Sequence, residues 1–265
     1  MKKAAMSILA AAITLIFTAC GVSQSKYDRV VEELDYLRLE NKRLELEKSG
    51  GGTETSDSEN DEKSGNIAMK VGDVIAFGGY DWQVLDIQDG KALILSVRVL
   101  TNQPYNSIEA SVTWENSSIR GYLNQTFYHG VFSAEEKLRI AETRISNKAN
   151  PWYGKTSTGG VDTLDKVFLL SLEEVAKYFG DSGLLGQPPE DESILELDDE
   201  YNSERVAYGM GQSATWWWLR SPGGSNLTAV FVRSEGIISV AGGVVEFLPS
   251  ASGGNVRPAL WLILE

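Results

Sequence analysis

The two residue types with the widest chemical reach are nearly missing: the chain has one cysteine and one histidine among 265 residues. A lone cysteine, Cys20, cannot close an internal disulfide, so in an exported chain its thiol is either free or modified. A lone histidine, His129, excludes a multi-histidine metal site and leaves any Ser-His-Asp triad resting on one side chain. It stands beside Tyr128 at an expected helix end, where a surface histidine without catalytic duty is the simpler reading. Basic residues are also short, with 24 Lys and Arg against 37 Asp and Glu, a formal charge of −13. That balance argues against nucleic acid as a partner, because phosphate backbones call for basic patches. No glycine-rich phosphate loop follows an expected strand, and no metal or other cofactor is expected. No apolar run reaches the roughly 20 residues that span a bilayer.

The run that comes nearest lies at the start. Met1, Lys2 and Lys3 precede an apolar stretch from Ala4 to Phe17, then the small residues Thr18 and Ala19, then Cys20. This is the layout of a secretory signal over residues 1–19. Phe17-Thr18-Ala19-Cys20 resembles the bacterial lipobox, departing from it at Phe17, where Leu is usual. The resemblance implies a cysteine that carries lipid and becomes the mature N-terminus. Two or more acyl chains, at about 0.8 kcal/mol per buried methylene, anchor stably. The expected location is therefore the extracytoplasmic face of a cell membrane, held by lipid on Cys20.

Residues 20–48 form the lipidated N-terminus and a stalk. Residues 26–48 are charge-rich, without Gly or Pro, and fit heptads with Tyr27, Leu34, Asn41 and Lys48 at a and Val30, Leu37 and Leu44 at d. Asn41 favours a parallel dimer through residues 27–48, while Leu39 and Leu46 fall at outward f positions and suit a single solvated helix equally well. Residues 49–66 hold Gly, Ser, Thr and acids with no large apolar side chain, which reads as a flexible linker spanning roughly 25 Å.

From residue 67 to 265 the composition becomes that of one folded domain. Strands are expected at Asp73–Phe77, Tyr80–Ile87 and Lys91–Val99, with Asp89-Gly90 as a hairpin turn. Helices follow. One is capped at Ser117 or Ser118, and two open on capping boxes, Ser133 with Glu136 and Ser171 with Glu174. Residues 166–170 read as a buried strand and residues 181–204 as an insertion or loop. Strands return at Trp216–Arg220, Thr228–Arg233, Ile237–Val240, Val244–Leu248 and Val256–Leu264, separated by glycine pairs and turns. Strands, then helices, then strands predict an α+β fold: a mostly antiparallel sheet with short segregated helices, behind an N-terminal helical stalk.

The segments GGYDWQVLDI, KALILS, PYN, TWENSSIRGYLN, VFSAEEKLRI, DKVFLLSLEEVAKYF, WWLRSPG and VRPALWL, in that order, resemble the bacterial family known as domain of unknown function 6273. Its members often sit on exported or lipid-anchored proteins, and the resemblance implies no activity. The closing half is also similar, in architecture, to C-type-lectin-like and formylglycine-generating-like domains. Formylglycine-generating oxidation needs thiols, which the single cysteine excludes. The calcium motifs of lectins are absent, with only a partial echo at Asn102-Gln103-Pro104-Tyr105-Asn106.

Aromatic residues are the chemically suggestive feature. On a strand, Trp216 and Trp218 point to one face and Trp217 to the other, so indoles either fill the core or face a partner. Trp114, Trp152 and Tyr153 lie in expected loops, where exposed rings suit sugar or peptide recognition. These three and Trp217 are the ligand-binding candidates, with Trp216 and Trp218 as structural companions. Arg220 and Arg257, in LRSPG and VRPAL, are expected to brace turns through carbonyls or a buried carboxylate, ahead of ligand recognition. The acids between Glu190 and Glu200 lack calcium-loop spacing and read as a solvated charge run. Two functions remain open: a non-catalytic module binding a glycan, wall polymer or protein, or an extracytoplasmic enzyme using paired carboxylates such as Asp162 and Asp165.

Overall fold

The structure, a computed structural model, describes residues 69–190, 195–209, 213–246 and 255–264. The signal, Cys20, the stalk and the linker lie outside the described residues, as do Phe247 and Leu248 of one expected strand. The described chain is mixed, with mostly antiparallel sheets and short helices, in agreement with an α+β fold.

Strands β1 (Val74–Phe77), β2 (Tyr80–Gln88) and β3 (Lys91–Ser96) form successive hairpins. Both turns have two residues with positive φ, Gly78-Gly79 and Asp89-Gly90, the geometry that matches strand twist. In β2 the alternation of Trp82 and Val84 is broken by a bulge between Val84 and Asp86, which buries Leu85 as well. KALILS has no polar alternation because β3 is central: Ala92–Ser96 are all buried.

Trp114–Asn116 is a 3₁₀ turn. Ser117 then caps α1 (Ser118–Tyr122), which continues through a π-helical turn (Leu123–Phe127) into α2 (Tyr128–Val131). The π turn keeps Leu123, Phe127 and Phe132 pointed into the core. Both capping boxes form, opening α3 (Ala134–Arg139) and α4 (Leu172–Phe179). Between these two helices, β4 (Thr143–Ile145) pairs with β5 (Thr163–Asp165).

The second sheet has the order β6 (Glu196–Leu197), β11 (Ile238–Val244), β10 (Thr228–Val232), β9 (Trp217–Pro222). Short α5 (Asn202–Arg205) and the pair β7 (Ala207–Tyr208) and β8 (Ala214–Thr215) lie between β6 and β9 in the chain. The last strand, β12 (Ala259–Ile263), returns to the first sheet beside β3.

Two expectations are corrected. Residues 166–170 are a buried connector that stitches the sheets: Phe168 exchanges backbone bonds with Ala259, while Leu170 accepts from Arg220 N–H. Val244 does not start a new strand but ends β11, which continues past Val240 through a bulge in which Val240–Gly242 lie opposite the single residue Val230 of β10. Gly242 has φ +78°, and a Cβ there would stand 2.4 Å from the Ala229 carbonyl oxygen. Residues 181–204, expected as an insertion or loop, supply β6 and part of α5.

Candidate functional site

Of the four aromatic candidates, two are interior. Trp114 is 1% exposed, because its indole N–H is drawn inward to donate to Asp165 Oδ2 at 2.8 Å. Trp217 is fully buried on a strand covered on both faces, its indole donating to the Arg205 carbonyl at 3.1 Å. Neither offers a ring to a ligand, which corrects the expectation for both. Trp218 is also buried, edge-on to half-buried Trp216 at 4.8 Å and to Phe231 at 5.9 Å.

Trp152 and Tyr153 are half-buried in a turn held by Asn150, whose amide donates to the Pro222 and Val240 carbonyls at 3.0 and 2.9 Å. The Trp152 indole donates to the Leu185 carbonyl at 3.2 Å.

The two carboxylates of the candidate acid-base pair have unlike surroundings. Asp162 is exposed and bonds exposed Arg144 at 3.2 Å. Asp165 is buried and accepts from Trp114, from Thr163 Oγ1 at 2.7 Å and from Arg120 Nε at 2.6 Å. With both oxygens engaged by fixed donors, it is a structural knot tying β5 to the 3₁₀ turn and α1. His129 is exposed and rests edge-on against Tyr128.

Three buried or half-buried arginines are each matched to a carboxylate. Arg120 has Asp165, Arg205 has Asp199, and Arg220 forks onto Glu174 while donating to the Leu169 carbonyl at 2.8 Å. Beside Arg220 lies a cavity of about 10 Å³, no larger than one water molecule and too small for an organic ligand. In the acidic stretch, Asp199 serves Arg205 and Glu196 pairs with Arg233. Among the described residues no group of three His, Cys, Asp or Glu is placed to hold a metal ion.

Arg257 departs from this pattern. It precedes Pro258 at the start of β12 and is 4% exposed, with its Nε donating to the Ser96 carbonyl at 2.9 Å. Among the described residues no carboxylate pairs with it, and Nη1 is buried without an acceptor. Its guanidinium lies 4.9 Å from the Trp217 ring and 5.7 Å from the Phe179 ring. Each such cation–π contact is worth about 0.5 to 2 kcal/mol, short of the several kcal/mol that burying an ion costs. Desolvation pulls Arg257 down to about 9, which still leaves it cationic at pH 7.

Arg257 lines a groove of about 650 Å³, within the range of small-molecule sites. The walls come from residues just before β1, from β2, from the end of α4 and from the segment around α5. Tyr178, Tyr201 and Tyr208 place phenol rings on the rim, the last two partly exposed. Tyr178 is fixed by donating to Asp86 at 3.0 Å, and Lys177 joins the same carboxylate at 2.9 Å. The Lys177 hydrogen bond, with that of Tyr178, holds Asp86 below the usual carboxylate range. Sequence reasoning placed Arg257 among the structural residues and passed over the three tyrosines. The available signal was local: VRPAL has no acid near it, but burial without a partner is a property of the fold.

No curated protein and no solved structure matches the chain. The family described as domain of unknown function (DUF6273) matches residues 89–264, a span that holds Asp165, Arg220, Arg257 and the three groove tyrosines, and the chain belongs to that family.

Proposed function

We propose that this protein is a membrane-anchored extracytoplasmic lipoprotein, cleaved after Ala19 and lipidated at Cys20, whose domain is a non-catalytic binding module with a lectin-like arrangement of its closing strands. The helical stalk and linker would hold the module away from the membrane, where it meets a glycan, wall polymer or protein. One observation carries the binding reading: a buried, still cationic arginine without a carboxylate partner lines an open groove rimmed by tyrosines. A partner supplied from outside would complete it, as a preformed site with a few placed polar groups does. The engagement of Asp165 by three donors speaks against its use as a catalytic acid or base.

Two measurements test this. Metabolic labelling with a tagged fatty acid is expected to mark the full-length protein and not a Cys20→Ser variant; label on both removes the anchor. Full-length protein in detergent, screened on glycan, peptidoglycan-fragment and peptide arrays with and without calcium, is expected to retain a restricted ligand set that Tyr201→Ala and Tyr208→Ala weaken. Retention of nothing, or retention unchanged in both variants, defeats the binding module at this groove.

A further inference from the structure

Resting on that binding-module reading, we infer that the groove recognises a free carboxylate carried on an apolar or aromatic body, as at the C-terminus of a peptide. The guanidinium has ring neighbours in Trp217 and Phe179, and its Nε is already committed to Ser96. The remaining N–H donors therefore form a planar edge, and a carboxylate is the planar acceptor that matches it. The charge count points the same way. Among the described residues Arg257 is the only basic one lining the groove, and Glu204 also lines it, so the pair is formally neutral and a monoanion meets less opposition than a phosphate dianion.

The walls choose the body. Val71, Val97 and Val206 line the groove with the aromatic rings, while Gln83 and Ser203 are the uncharged side chains, apart from the tyrosines, that can reach a ligand with a hydrogen bond. A sugar acid carries a hydroxyl on nearly every carbon and would leave most of them unmatched against such walls, whereas an apolar side chain beside a terminal carboxylate would not.

The test uses full-length protein in detergent and matched probes differing in one group: N-acetyl-phenylalanine and its amide, hexanoate and hexanamide, glucuronate and glucose, with inorganic phosphate alongside. Binding is read by calorimetry and by thermal midpoint. The expected result is millimolar or tighter binding of the first two carboxylates, at least about tenfold tighter than their amides. That discrimination should be lost in Arg257→Gln. It should also be lost in Val71→Asp, which sets a negative charge at a position 62% exposed and leaves Arg257 untouched, so the outcome stands even if Arg257→Gln does not fold. Equal binding of acid and amide, no binding of either carboxylate, or discrimination that survives Val71→Asp overturns the inference. So does preference for glucuronate or phosphate. Array ligands retained through the tyrosine rim but indifferent to excess N-acetyl-phenylalanine sink the carboxylate and leave the binding module standing.

Discussion

Replacing Asp165 by Asn removes one charge and almost no volume, and the structure fixes what that does. Oδ2 accepts from Trp114 and Thr163, and Oδ1 from Arg120. An asparagine can reproduce only one of these oxygens. The less costly choice keeps the carbonyl on the indole and hydroxyl and turns the amide toward Arg120, whose side chain is 27% exposed and recovers part of its hydration. What is lost is one charge-assisted hydrogen bond, about 1.5 to 3 kcal/mol, plus part of the penalty for leaving a guanidinium beside a donor. The sum is about 3 kcal/mol. For a domain of this size that lowers the thermal midpoint by roughly 6 to 12 °C. Asp162→Asn is the control: its partner Arg144 is exposed, so the loss is under about 0.5 kcal/mol. Urea unfolding followed by tryptophan fluorescence measures both, and the buried Trp114 reports directly on the altered site. If Asp165→Asn were as stable as the parent, the three bonds would not be holding β5 to α1. A variant more stable than the parent would point instead to a carboxylate kept for function at the expense of the fold.

Gly236→Ala should cost about 3 kcal/mol or more in denaturant unfolding, because φ is +88° and the new Cβ would meet the Asn202 carbonyl oxygen at 1.8 Å. Gly121→Ala, in α1 with nothing within 4 Å, should instead stabilise by about 0.5 to 1 kcal/mol. Desolvation pushes Tyr80 up to about 12 and raises Tyr105 in the same direction, so both keep protons in the fold that unfolded tyrosine loses near pH 10. Their contribution is whole below pH 10 and drains as pH rises toward 12, at up to about 1.4 kcal/mol per pH unit for each; pH-jump unfolding should show that slope, reduced in Tyr80→Phe. Gln83→Glu puts a carboxylate into the groove without a change of size; it should raise the thermal midpoint and weaken retained ligands, and a variant that binds as before would detach the groove from recognition.

Local signals in the sequence translated into structure wherever one turn or one cap decides the outcome. Asp89-Gly90 made its hairpin because only positive φ closes a two-residue turn between twisted strands. Ser133 with Glu136 and Ser171 with Glu174 made capping boxes because both partners sit within one helical turn. Trp114 was misread for the opposite reason: what buries it is Asp165, 51 positions further on, and no window around the tryptophan holds that carboxylate. Gly242-Gly243 spelled a turn and instead lies within β11, with Gly242 in a bulge and Gly243 paired to Ala229, since the register of β10 against β11 determines where the extra residues go.

The same limit explains the two arginines. LRSPG and VRPAL look alike, each an arginine one or two residues before a proline at a strand end. Arg220 lands opposite Glu174, a residue that also closes the capping box of α4, so one carboxylate serves both the helix and the guanidinium. Arg257 lands against Trp217 and Phe179, two positions that core packing filled with rings rather than acids. A fold selected for stability alone would favour an apolar residue there, because a well-packed hydrophobic side chain avoids the desolvation that Arg257 incurs. The cation is retained at a place where, among the described residues, no carboxylate pairs with it and where its residue lines a groove. It is that conjunction, and neither motif by itself, that makes Arg257 the residue on which the proposed recognition rests.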